Sequence, residues 1–228
     1  MQERKRRLLD ALEGVPGWLG AEEAWTLFES VRRHPSEGRP VDVVEIGSWQ
    51  GRSTIVLARA VRERPEGGVV NAIDPHSGTD LHGATQVEDT FEAFRANVAG
   101  AGVSDLVTPI RLASSAARPQ FAERSVDALF VDGAHGYQDV VRDIDDWTPA
   151  LRDAATVAFH DAMAMETVRR AIRDRVLRFR SPFFNPRAVE NTLFLDFRRG
   201  ALRTGIRHGF RTSRFRRSFP ADPARAPG

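Results

Sequence analysis

The chain has 228 residues with no cysteine and 41% apolar content, enough to bury the core of one domain. The missing cysteine excludes a disulfide-stapled module, a thiolate-ligated zinc site and a thiol nucleophile. The formal charge of +2 hides an asymmetry: nine arginines between Arg198 and Arg225 face a single acid, Asp222, so the rest of the chain is net acidic. No window approaches the roughly 20 apolar residues that span a bilayer. Met1 to Leu12 is basic and lacks an apolar run, which reads against a signal peptide and for a soluble cytoplasmic protein.

In chain order, Arg4 to Leu12 reads as a short helix broken by Gly14, Pro16 and Gly17. Trp18 and Leu19 follow as an apolar anchor. Ala21 to Arg33 carries Ala24, Leu27, Phe28 and Val31 at helical spacing. Val41 to Ile46 is a β-branched run closed by Gly47, and Ser53 to Val61 reads as a helix. Val69 to Asp74 is a second strand, stopped by Pro75. Val87, Phe91, Phe94 and Val98 share a helical face over Gln86 to Val98. Strands are expected at Val107 to Leu112, Val126 to Val131, Ala155 to Phe159 and Asn191 to Phe197. Helices are expected at Tyr137 to Leu151 and Thr167 to Val176. Residues 1–40 read as a helical segment on the core, 41–197 as the main domain and 198–228 as a basic tail.

Short strands alternating with helices of 10–15 residues imply βαβ units and a mostly parallel α/β sheet. In such sheets ligands sit beyond the carboxyl ends of the strands. That rule selects Glu45 to Gly51, Asp74 to His76, Ala113 to Ser115, Asp132 to His135, and His160 with Asp161. Gly47 and Gly51 permit a tight turn and close approach of backbone to a ligand, and the helix that follows offers free N–H groups. The run lacks G-x-G-x-x-G and G-K-[ST], which weakens a nicotinamide reading and excludes a P-loop. An acid, a glycine turn and a helix start suit a cofactor with cationic groups. Asp74, at the end of the second strand, is placed to accept both hydroxyls of a ribose. Asp132 and Asp161, with His135 or His160 nearby, offer either a general base or an oxygen-rich site for Mg²⁺ or Mn²⁺.

Five motifs occur in order: Glu45-Ile-Gly47-Ser48-x-x-Gly51-x-Ser-Thr54, Ala72-Ile-Asp74-Pro-His76, Phe130-Val-Asp132-Gly-x-His135-x-Tyr137, Asp143-x-x-x-Trp147 and Phe159-His160-Asp161. Their order resembles the class I S-adenosylmethionine-dependent methyltransferases, closest to a group of small bacterial O-methyltransferases, over residues 14 to 197. The resemblance implies a Rossmann-like, doubly wound, mostly parallel seven-stranded sheet with helices on both faces. It also implies S-adenosylmethionine as cofactor. Glu45, Gly47, Ser48 and Gly51 would line its methionine part, Asp74 its ribose and Ser114 its adenine, with Asp132 also on the cofactor. It implies Asp132, His135 and His160 as the catalytic residues. Metal-dependent relatives place carboxylates at the positions resembling Asp132, His160 and Asp161. Here one of the three is a histidine, and their D-G-D-H run reads Asp132-Gly-Ala134-His135.

The acceptor is expected to be a small-molecule hydroxyl, on a sugar, a lipid-linked saccharide or a secondary metabolite. A competing reading is a non-catalytic protein of the same fold that works through its tail. In that tail Leu202, Ile206 and Phe210 recur among arginines, a pattern read first as a solvated extension, next as contact with an anionic membrane surface and last as nucleic-acid binding. Self-association into a homo-oligomer is compatible with the sequence.

Overall fold

The computed structural model describes residues 1–77, 89–178 and 180–199. Gln86 to Glu88 of one expected helix, and the basic tail from Gly200 onward, lie outside the described residues. Seven strands form one sheet: β1 (Val41–Ile46), β2 (Gly68–Ile73), β3 (Val107–Ile110), β4 (Val126–Val131), β5 (Leu151–Phe159), β6 (Phe183–Val189) and β7 (Thr192–Phe197). Their order is β3-β2-β1-β4-β5-β7-β6. The first five are parallel, while β7 runs antiparallel to β5 and pairs with β6 as a hairpin. The helices are α1 (Gln2–Asp10), α2 (Ala21–Arg32), α3 (Arg52–Arg62), α4 (Phe91–Gly100), the single turn α5 (Ser114–Ala117), α6 (Tyr137–Trp147) and α7 (Glu166–Arg175).

Alternation along the strands builds two cores. Val41, Val43, Val70, Ala72, Phe130 and Ala158 meet Leu8, Leu27, Phe28, Ile55, Leu57 and Phe94 of the first four helices. Val44, Ile46, Leu129, Val131, Val157 and Phe159 meet Val140, Ile144, Trp147, Val168 and Ile172 of α6 and α7. With both faces covered, β4 is buried at every residue, which explains its near-continuous apolar run.

Three sequence expectations change. The helix expected to reach Leu151 ends at Trp147: Pro149 sits in a 3-10 turn, and β5 starts at Leu151. The hairpin strand β6 was not expected, because Pro186 and an Asn185 at φ 50° mark its bulged edge. Trp18 is no buried anchor; it is 65% exposed, and Leu19 alone enters the core.

Asp127 is the one acid inside β4, at its amino end. It accepts two bonds from Arg39 at 2.7 and 2.5 Å and one from the Asp42 backbone at 2.9 Å, with Arg152 at 3.5 Å and the buried His34 at 3.6 Å. The Arg39 guanidinium helps hold its carboxyl well below the usual range, against the opposing effect of burial. Removing one partner of such a buried cluster leaves the others uncompensated. Asp127→Ala is therefore expected to lower stability by about 3 kcal/mol in urea denaturation.

Candidate functional site

Strand order reverses between β1 and β4, and a crevice opens beyond their carboxyl ends. Backbone bonds continue the ladder past the strands: Gly47 N–H donates to Ile73 O at 2.8 Å, Asp132 N–H to Ile46 O at 2.8 Å and His160 N–H to Val131 O at 3.0 Å. Gly47, Asp132 and His160 are thereby fixed against the neighbouring strands. The resulting cleft of about 540 Å³ falls in the range of small-molecule sites.

Gly47 has φ 87°, and a Cβ there would stand 2.1 Å from the Asp132 carbonyl oxygen, so the turn requires glycine. Ser48 is buried on the cleft wall, and its hydroxyl has no partner among the described residues. Asp74 also lines the cleft. Its two oxygens accept the Trp49 N–H at 2.8 Å and the His76 N–H at 2.7 Å, and each retains capacity for another donor. Ser114 donates its hydroxyl to Asp143, a buried carboxylate on the cleft wall that burial pushes up to about 6.

Glu45 and Gly51 stand behind this wall. Glu45 is fully buried and bonded by the Thr54 hydroxyl; burial pushes its carboxyl up to about 8 although the Ser53 and Thr54 hydroxyls oppose the shift. Gly51 caps α3 at φ 90° and faces Phe94 and Val98. His76 is also interior, with Nδ1 at 3.0 Å from the Thr90 hydroxyl and its ring beside Phe91 and Phe94.

The other half of the cleft is a cluster of charge. His160 Nδ1 lies 3.0 Å from Asp132 Oδ1 and 3.4 Å from Asp161 Oδ2, while its Nε2 lies 3.8 Å from Glu23 Oε2. His135 Nε2 stands 3.2 Å from Asp161 Oδ2 and 3.9 Å from Asp132 Oδ1. Burial disfavours a charge on His160, yet Asp132, Asp161 and Glu23 beside its ring push it up to about 12. Asp132 and Asp161 push His135 up to about 9, and the two imidazoliums hold Asp161 well below the carboxylate range.

Glu23 was not foreseen. It accepts from Gly20 N–H at 2.8 Å, Asn191 N–H at 3.0 Å and the Thr192 hydroxyl at 2.7 Å. Glu23 and Asp143 share a signal, since each is an acid on the apolar stripe of its helix, beside Leu27 and Trp147 respectively. Arg52, at the start of α3, donates to the carbonyls of Leu12, Val15 and Leu19. Trp147 is wholly buried as a core residue.

Residues 44–162 match the family model described as a methyltransferase domain. Over 129 residues the chain is 32% identical to the Sinorhizobium fredii protein y4gI, covering 56% of this chain and 14% of that protein; it therefore spans about one-seventh of that relative's length. Similar solved structures include the O-methyltransferase NovP (TM-score 0.65, 17% identity, 79% of this chain and 81% of that one). TomG of Streptomyces achromogenes, an O-methyltransferase of tomaymycin synthesis solved with S-adenosylmethionine, gives TM-score 0.58 at 20% identity over 87% and 90% of the chains. The Bacillus cereus O-methyltransferase, solved with S-adenosylhomocysteine, gives 0.60 at 16% identity over 86% and 91%. These structural likenesses carry the fold, and the family match carries the membership. The chain belongs to the methyltransferase-domain family.

Proposed function

We propose that this methyltransferase acts on a hydroxyl oxygen of a small molecule, with His135 taking the proton. The observation behind this reading is the His135–Asp161–His160–Asp132 cluster, which shares one cleft with the Gly47 turn and Asp74. The donor's chemistry fits the other half of the cleft. Asp74 would hold the ribose hydroxyls, Ser48 and the start of α3 the methionine end, and Ser114 with Asp143 the adenine edge. When bound, S-adenosylmethionine supplies an electrophilic methyl group on a sulfonium.

The chain's own task is to orient the acceptor and accept its proton. Neutral His135 takes that proton, and Asp132 and Asp161 stabilise the imidazolium that forms. His160, held charged between Glu23 and the two aspartates, holds both carboxylates in place beside His135. Below the raised value near 9, most His135 carries a proton, so the active form grows as pH rises. Turnover should climb roughly tenfold per pH unit from neutral toward that value. A flat profile over this range in the wild type would contradict the assignment.

The expected metal set of Asp132, His160 and Asp161 suits a resident Mg²⁺ or Mn²⁺ poorly. Its middle member is an imidazolium whose far nitrogen faces Glu23, and both carboxylates already have cationic partners. Although Asp132, His135 and Asp161 lie close together, that trio offers a nitrogen and two oxygens where these hard ions take oxygen-rich shells. Enzyme stripped with EDTA should retain full methyl transfer to its acceptor. Loss on chelation with recovery on adding Mg²⁺ would overturn the metal-free reading. The substrate assignment itself is tested by incubating the chain with methyl-labelled donor and a hydroxylated metabolite extract. Label in ethers supports it, and label only in amines or carboxylates contradicts it. Among the described residues no helix is long and apolar enough to cross a membrane.

A further inference from the structure

Trp18 is 65% exposed, the one large aromatic left in water among the described residues. Its ring stacks on Trp49 with centroids 4.7 Å apart and planes at 30°, and both residues line the cleft. We propose that this tryptophan pair is the wall against which a ring of the acceptor lies flat, so that the enzyme selects hydroxyls carried on a planar aromatic or pyranose ring.

Three features of the chain build the wall. Trp49 sits at φ 42°, a region that costs a bulky residue, and its N–H is tied to Asp74 Oδ2 at 2.8 Å. The strap from Leu12 to Leu19 is clamped by Arg52, which donates to Leu12 O at 3.0 Å, Val15 O at 2.7 Å and Leu19 O at 3.1 Å. Gly17 lets the strap cross this arginine: its φ is 145°, and a Cβ would meet Arg52 Cδ at 2.7 Å. The ring of Trp18 is therefore held over Trp49 by the bonds from the Arg52 guanidinium to the strap carbonyls, although its own surface remains wet.

The position favours the acceptor. Two residues beyond Trp18, the Gly20 N–H is bonded to Glu23 Oε2, the atom that faces His160. The strap thus borders the proton-accepting cluster, whereas the proposed purine end lies with Ser114 and Asp143. Indole faces attract ring faces and ring C–H groups, and an exposed tryptophan at a cleft mouth gains by being covered. The inference rests on the donor and base assignments made under Proposed function.

The test uses the full chain saturated with S-adenosylhomocysteine and three probes that share a vicinal diol: catechol, methyl glucoside and propylene glycol. Binding is followed by tryptophan fluorescence and saturation-transfer NMR. One of the two cyclic probes should bind at least tenfold more tightly than the acyclic diol, and which one binds identifies the ring. Trp18→Ala should erase that preference and Trp18→Phe should keep most of it, both with unchanged affinity for S-adenosylhomocysteine. If neither cyclic probe exceeds propylene glycol, the proposal fails. If Trp18→Ala weakens S-adenosylhomocysteine instead, the pair covers the donor and the proposal fails again. Absence of S-adenosylhomocysteine binding to the wild type would sink the donor reading alone, because the same probes titrated into the free protein still report on the wall.

Discussion

His135→Asn is expected to lower kcat by about a hundred- to ten-thousand-fold, with little change in affinity for S-adenosylhomocysteine. Asparagine keeps a polar group of similar reach but cannot accept a proton near neutral pH. His135 sits at the tip beyond β4, lines the cleft and faces Asp161 and Asp132 from one side, so its removal leaves the Gly47 turn and Asp74 intact. The residual rate should also lose its rise toward pH 9, since the group whose proton sets that slope is gone. Steady-state kinetics across pH with calorimetry on the same variant check both statements. A variant that keeps most of its turnover would show that the proton leaves by another route.

Asp74→Ala is expected to weaken S-adenosylhomocysteine binding by about a hundredfold or more, since it removes charge-assisted hydrogen bonds to the ribose hydroxyls. It also releases two backbone N–H groups, those of Trp49 and His76, from the same carboxylate. The loop carrying Ser48 and Trp49 therefore loses its tether while the sugar loses its acceptor. Calorimetry gives the affinity directly, and an unchanged dissociation constant would remove Asp74 from the donor site.

How much of this was legible in the sequence differs by element. The bounds of β1 and β4 were readable because both are short apolar runs ended by a glycine or an Asp-Gly turn. The α/β order and the strand-end rule together selected Gly47, Ser48, Asp74, Ser114, Asp132, His135, His160 and Asp161, and the structure lines one cleft with all eight. Glu45 and Gly51 obey the same rule but are turned into the interior, because a strand-end position fixes where a backbone goes and not which side of the loop opens to solvent.

What escaped the reading follows physical lines. The strand β6 carries a proline and a left-handed asparagine, so its edge character outweighed its apolar residues. Glu23 and Asp143 are acids, which polarity alone assigns to the surface; only their phase on helices otherwise buried marks them as inward. Trp18 failed in the opposite sense. Tryptophan argues for burial by area, and the Arg52 clamp that holds it in water is made of backbone carbonyls that no side-chain pattern reveals.

The most direct test of the account is a crystal structure of the chain with S-adenosylhomocysteine. In it the ribose hydroxyls should lie on the Asp74 carboxylate and the adenine edge at Ser114 and Asp143, with the sulfur open toward His135. A nucleoside bound elsewhere, or a cleft that stays closed to it at saturating concentration, would contradict the account.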